Sequence, residues 1–163
     1  DSTKTSMPSY DLINQINVRG AFMLCKFASD YLKDSNNSQI INVCPPVSCF
    51  DSKTTQDALV YTLSKLELSY ITLALSSEYQ ESGIGVNGIW PKFPIHGDES
   101  MYLGDFATSQ PYSPDVLADA IVQLLHKNSQ EFTGQLLLDA PFLEEHSENF
   151  DLSSYGLENQ VPS

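Results

Sequence analysis

Positive charge is scarce in this chain: 8 Lys and Arg stand against 21 Asp and Glu, a formal net charge of −13. So negative a surface repels polyanions, which excludes nucleic acid as a partner and argues against anionic membranes. Cysteine is scarce too. Cys25, Cys44 and Cys49 form an odd set without regular spacing, so they predict no disulfide framework. None belongs to a C-x-x-C pair, and His96, His126 and His146 are scattered, which argues against a zinc site. No apolar run approaches the ~18 residues of a membrane span, so no membrane insertion is expected. No segment reads as a targeting signal. These absences together predict a reducing, intracellular setting.

What the chain does have is apolar surface to bury. Of its 163 residues, 41% are hydrophobic and 18% charged, enough for one core. Residues 9–32 read as a helix, with Leu12, Ile16, Met23, Leu24, Phe27 and Tyr31 at a spacing that predicts one buried stripe. Ser9 is its expected N-cap, and Gly20 interrupts it, which predicts a close neighbour there. Residues 39–44 form a β-branched run stopped by Pro45-Pro46, a strand. A second helix is predicted over 57–80, with Leu63, Leu66, Tyr70 and Leu73 on its apolar side and Gly83 as a left-handed cap.

Residues 84–90 read as a second strand, and Ser113-Pro114-Asp115 opens a third helix that ends near Lys127. Residues 132–139 complete the pattern as a third strand. The loop from 92 to 112 carries Phe93, Tyr102, Phe106 and Tyr112, a substrate lid or a satellite of the core. The order α-β-α-β-α-β implies an α/β fold with a parallel, doubly wound sheet over residues 1–140. Residues 141–163, rich in Glu and Asp, are expected to form an irregular acidic tail.

One spacing carries chemistry. Tyr61 and Lys65 lie four apart on the second helix, hence on one face. A phenol near pKa 10 is a poor acid–base group at neutral pH. An adjacent ammonium favours the phenolate and brings it toward the working range. Most such pairs are ordinary surface neighbours. This one follows a parallel strand and its loop, and parallel folds bind ligands at the carboxyl ends of their strands.

With that pair in place the chain resembles the short-chain dehydrogenase/reductase family. Asn17-Val18-Arg19-Gly20, Ile40 to Val43, Tyr61 to Lys65, and Gly85-Val86-Asn87 leading to Trp90-Pro91 resemble its segments, in the family's order. Pro45-Pro46, Trp90-Pro91-Lys92 and Phe132-Thr133-Gly134 resemble one branch of it more closely. The resemblance implies the C-terminal part of a Rossmann-like domain, with the N-terminal βαβ units lying outside this chain. It implies hydride transfer between NADP(H), or NAD(H), and an alcohol or carbonyl, with a lipid-like small molecule as one possibility for the substrate. It implies that Tyr61 exchanges the proton and that Lys65 bonds the nicotinamide ribose. It implies that Asn17 holds a relay water and that Pro91 and Ile95 border the nicotinamide. Asn17 and Ile95 have plain structural readings as well, a bonded amide and a core residue. The resemblance also implies a homo-oligomer through helices 9–32 and 57–80, and a peroxisome or mitochondrion as the compartment.

Three positions depart from the family pattern. The family's hydroxyl after the strand falls on Pro45, which has none; Ser48 is the candidate substitute. The Pro-Gly turn is Pro91-Lys92, and the usual carboxamide-binding Thr is Gly97. Gly83 to Gly88 spells G-x-G-x-x-G, but a helix precedes it and a strand follows, the reverse of a dinucleotide loop. An oxidoreductase is therefore weighed against a catalytically inactive relic that keeps only helix-mediated dimerisation. An unrelated three-layer binding domain is the weaker third reading.

Overall fold

Three short strands set the frame: β1 (Gln39–Val43), β2 (Gly85–Trp90) and β3 (Leu136–Leu138), in a computed structural model that describes residues 2–50, 55–56, 58–96 and 111–156. They pair in parallel in the order β1-β2-β3, with Val43 opposite Ile89 and Ile89 opposite Leu137. Val43, Trp90 and Leu138 therefore end side by side at one edge. The α/β class and parallel sheet are those the sequence predicts. β3 is shorter than predicted because 132–135 are used otherwise. Gly134, at φ +72°, donates its amide to the Val86 carbonyl, and the Thr133 hydroxyl accepts from the Val86 amide. Buried Asn87 donates to the Phe132 carbonyl and accepts from the Gln135 amide, a side-chain substitute for ladder bonds.

The first helical run comprises α1 (Met7–Asn14), a π-helical turn (Gln15–Gly20) and α2 (Ala21–Leu32). Its cap is Ser6, not Ser9: the Ser9 amide donates to the Ser6 hydroxyl at 3.2 Å. Pro8 explains the earlier start, because its fixed φ suits the first turn. The close neighbour predicted for Gly20 is internal. A Cβ there would stand 3.2 Å from the Gln15 carbonyl oxygen, which the π turn brings near.

The buried stripe expected on this run is not buried. Leu24 is 74% and Tyr31 84% exposed, and Cys25 is the only fully buried residue of the run. The same reversal holds on α3 (Leu59–Tyr79), whose predicted beginning at Asp57 falls outside the described residues. Leu63 and Tyr70 are exposed, whereas Thr62, Ser64, Ser69, Thr72 and Ser76 face inward with Leu68 and Leu75. Small hydroxyl side chains let the helix lie close to the strands and bond nearby carbonyls. Ser69 donates to Pro45 and Lys65 carbonyls, and Thr72 to that of Leu68. A 3₁₀ turn (Gln80–Ser82) ends the helix, and Gly83 at φ +73° supplies the expected left-handed cap.

Helix α4 (Asp115–Leu125) covers the other side of the sheet, with Ser113 accepting the Asp115 amide at its start. Where an irregular tail is expected from Pro141, the chain instead forms α5 (Asp139–His146) and a 3₁₀ turn (Leu152–Tyr155). Phe142 and Leu143 drive this, since both are buried against Ile89, Val116, Ala120 and Leu124. Phe93 and Tyr112 stack at 5.1 Å between centroids and pack on the same cluster; Tyr102 and Phe106 lie outside the described residues. The opposite face holds a smaller cluster of Cys25, Leu75, Tyr79, Ile84 and Val86.

Candidate active site

The face under α3 changes character along its length. Near the amino ends of the strands it is apolar, at Leu75, Tyr79 and Ile84. Toward the carboxyl ends it becomes polar. Asn42 donates to the Thr72 hydroxyl at 2.9 Å, and Cys44 lies 3.5 Å from that oxygen. Gly88 makes room here, because a Cβ on it would come within 2.6 Å of the Cys44 sulfur. Burial raises the pKa of Cys44, so its thiol is not an activated nucleophile.

Lys65 follows, one turn further toward the edge. Its ammonium donates to the Val43 carbonyl at 3.1 Å, at the tip of β1. It stands 5.9 Å from the Tyr61 ring centroid and 5.7 Å from that of Trp90, within cation–π range of both. Burial lowers the Lys65 pKa, and the nearby Cys44 partly opposes this. Tyr61 is half-buried on the same face. The structure therefore brings Tyr61 and Lys65 together at the carboxyl edge of the sheet.

Asn17 comes from the π-helical turn. Its amide donates to the Ser64 hydroxyl at 3.0 Å, and Ser64 in turn donates to the Tyr61 carbonyl at 2.7 Å. Asn17 thus reaches helix α3 through Ser64. Pro45 is buried, and its carbonyl is taken by Ser69. Ser48 is exposed and lines an open cleft of about 320 Å³ with Pro46, Cys49, Lys92 and Leu138, at the same edge. Pro91 leaves β2 directly after Trp90, half-buried. Ile95 is bridged in parallel to Tyr112. Gly97 lies outside the described residues.

Sequence reasoning missed three contributors. Ser64 sits inside the Tyr-x-x-x-Lys spacing and links it to Asn17. Trp90 served only as a point of resemblance, yet its ring borders the ammonium. Asp139 is 1% exposed just past β3, where its carboxylate accepts from the Lys92 amide at 2.8 Å and the Ala140 amide at 2.7 Å. Burial raises its pKa, while those amides pull it down. An acidic residue closing the apolar run Leu136–Leu138 was the available signal.

The donor set fits the nicotinamide-ribose end of a dinucleotide. An ammonium carries three N–H groups, and the Val43 carbonyl takes one. The pyrophosphate end has no counterpart among the described residues, since Gly83–Gly88 is a helix cap running into β2.

Comparison with known proteins bears on the family and the fold. The short chain dehydrogenase family matches residues 2–94. Hydroxysteroid dehydrogenase-like protein 2 of Xenopus laevis is 33% identical over 158 residues, 96% of this chain and 37% of that protein. The chain therefore spans little more than a third of that relative's length. A short chain dehydrogenase structure from Mycobacterium thermoresistibile superposes with a TM-score of 0.80 at 28% identity, covering 94% of this chain and 54% of that one. An angucycline C-6 ketoreductase with bound NADP superposes at 0.70 and 19% identity, covering 84% and 55%, a likeness of fold alone.

Proposed function

The chain belongs to the short chain dehydrogenase family, and on that premise we propose that it serves hydride transfer between NADP(H) and an alcohol or carbonyl substrate. A bound nicotinamide supplies the hydride acceptor or donor. The chain's own residues supply the rest. Tyr61 exchanges the proton at the substrate oxygen, through its phenolic Oη. Lys65 bonds the nicotinamide ribose with the N–H groups that Val43 leaves over. Its charge also favours the phenolate form of the neighbouring ring. Asn17 steadies the helix turn that carries Tyr61, through Ser64. Ser48, on the rim of the cleft beside Lys92, is the hydroxyl available to the substrate oxygen in place of Pro45.

The observation that carries this reading is the Lys65 ammonium, bonded to the β1 tip with the Tyr61 ring beside it. NADP over NAD, a lipid-like substrate and a peroxisomal or mitochondrial setting rest on resemblance to relatives. The outward apolar faces of α1, α2 and α3 support a homo-oligomer built through them. A groove of about 430 Å³ between Tyr10, Asn14, Val60, Leu63 and Tyr70 marks that surface.

Tyr61→Phe tests the mechanism, read as NADPH-dependent reduction of an alkyl ketone. Removing one general acid–base group is expected to lower turnover about 10²–10⁴-fold. Full turnover by the variant would remove Tyr61 from the chemistry.

A further inference from the structure

We propose that Trp90 is a positioning residue that keeps the Lys65 ammonium on the Val43 carbonyl, so that the lysine is set before any cofactor arrives. This rests on the reading of Lys65 as the ribose donor. A lysine has a flexible four-carbon stem and loses much rotamer freedom when fixed. Among the described residues no carboxylate bonds Lys65, and no ion pair there fixes it. Its partners are one carbonyl at 3.1 Å and two rings, Tyr61 at 5.9 Å and Trp90 at 5.7 Å.

The two rings are not equivalent. Tyr61 belongs to the same helix, one turn earlier, and moves with the lysine. Trp90 belongs to β2, where it pairs with Leu138, and Phe50 meets it edge-on at 6.0 Å and 85°. Trp90 therefore adds a second tie between the ammonium and the sheet, beside the Val43 carbonyl of β1. Indole is also the strongest of the aromatic partners for a cation.

Trp90 is the only tryptophan in the chain, so the contact reports on itself. Lys65→Met keeps an unbranched stem and removes the charge. In the full chain it is expected to shift the Trp90 emission spectrum; an unchanged spectrum would overturn the contact. This readout needs no cofactor, so it stands apart from failure of the dehydrogenase reading. In NADPH titrations, Trp90→Leu is expected to weaken binding about fivefold, the factor given by about 1 kcal/mol of cation–π energy. Trp90→Phe should recover part of that loss. In turnover, the same variants should raise KM more than they lower kcat. Equal NADPH affinity for Trp90→Leu and the native chain would overturn the proposal. If Trp90→Leu does not fold, Trp90→Phe and the Lys65→Met spectrum still decide it.

Discussion

The two faces of the sheet solve burial in opposite ways. Under α4 and α5 the chain packs a closed apolar cluster around Ile89, Ala120, Leu124 and Phe142. On the other face α3 presses Thr62, Ser64, Ser69, Thr72 and Ser76 against the strands beside a smaller apolar cluster of Leu75, Tyr79 and Ile84, while Leu24, Leu63 and Tyr70 of α2 and α3 turn outward. The first face buys stability. The second gives up some apolar contact, and in return polar groups can stand at the strand tips. Lys65 sits on that second face because the neighbours of its helix turn are Ser64, Ser69 and the carbonyls of Val43 and Pro45.

The largest effect that would sharpen this contrast is Phe142→Ala. Phe142 is 3% exposed and stacks with Phe132 and His146, so its loss leaves a cavity in the closed face. A cost of about 3–5 kcal/mol is expected in urea unfolding. A loss below about 1 kcal/mol would show that this face is not the main source of stability.

The next effect is a pH dependence. Asp139 has a folded-state pKa raised above its ordinary value, chiefly by burial. The folded state therefore holds this proton more tightly than the unfolded one. Stability from Asp139 is complete below pH 3.8, its ordinary value, and falls as pH rises through the raised folded value. Asp139→Asn should flatten that slope in unfolding midpoints measured across mildly acidic pH. A slope unchanged by the substitution would assign it to other groups.

The smallest effect is expected on the outward stripe. Leu24→Ser and Leu63→Ser should each change the stability of the isolated chain by no more than about 0.5 kcal/mol, because both side chains are exposed. If the stripe is an oligomer surface, the same substitutions should abolish any concentration dependence of the melting temperature. A loss as large as that of Phe142→Ala would mean the stripe is packed after all.

These faces also show how far the sequence could be read. Element order, the parallel sheet and the Gly83 cap were legible because β-branched runs, proline stops and a left-handed glycine act locally. Which side of a helix faces the core was not. Periodicity shows that Leu12, Ile16 and Tyr31 share a face, but not whether a sheet covers it. Helix α5 was hidden for the same reason, since Glu144 and Glu145 made the segment look polar while Phe142 and Leu143 anchored it. At the site, Tyr61 and Lys65 could be found by spacing. Trp90 could not, because its role comes from elements that meet only in the fold, and Asp139 was signalled only as an acidic residue closing the apolar run Leu136–Leu138.

The most direct measurement is titration of NADPH fluorescence against the purified full chain and its Lys65→Met variant. The account predicts binding in the micromolar range by the native chain, weakened about tenfold or more by loss of a charge-assisted hydrogen bond. Equal affinity for both proteins, or no binding by a folded native chain, would contradict it.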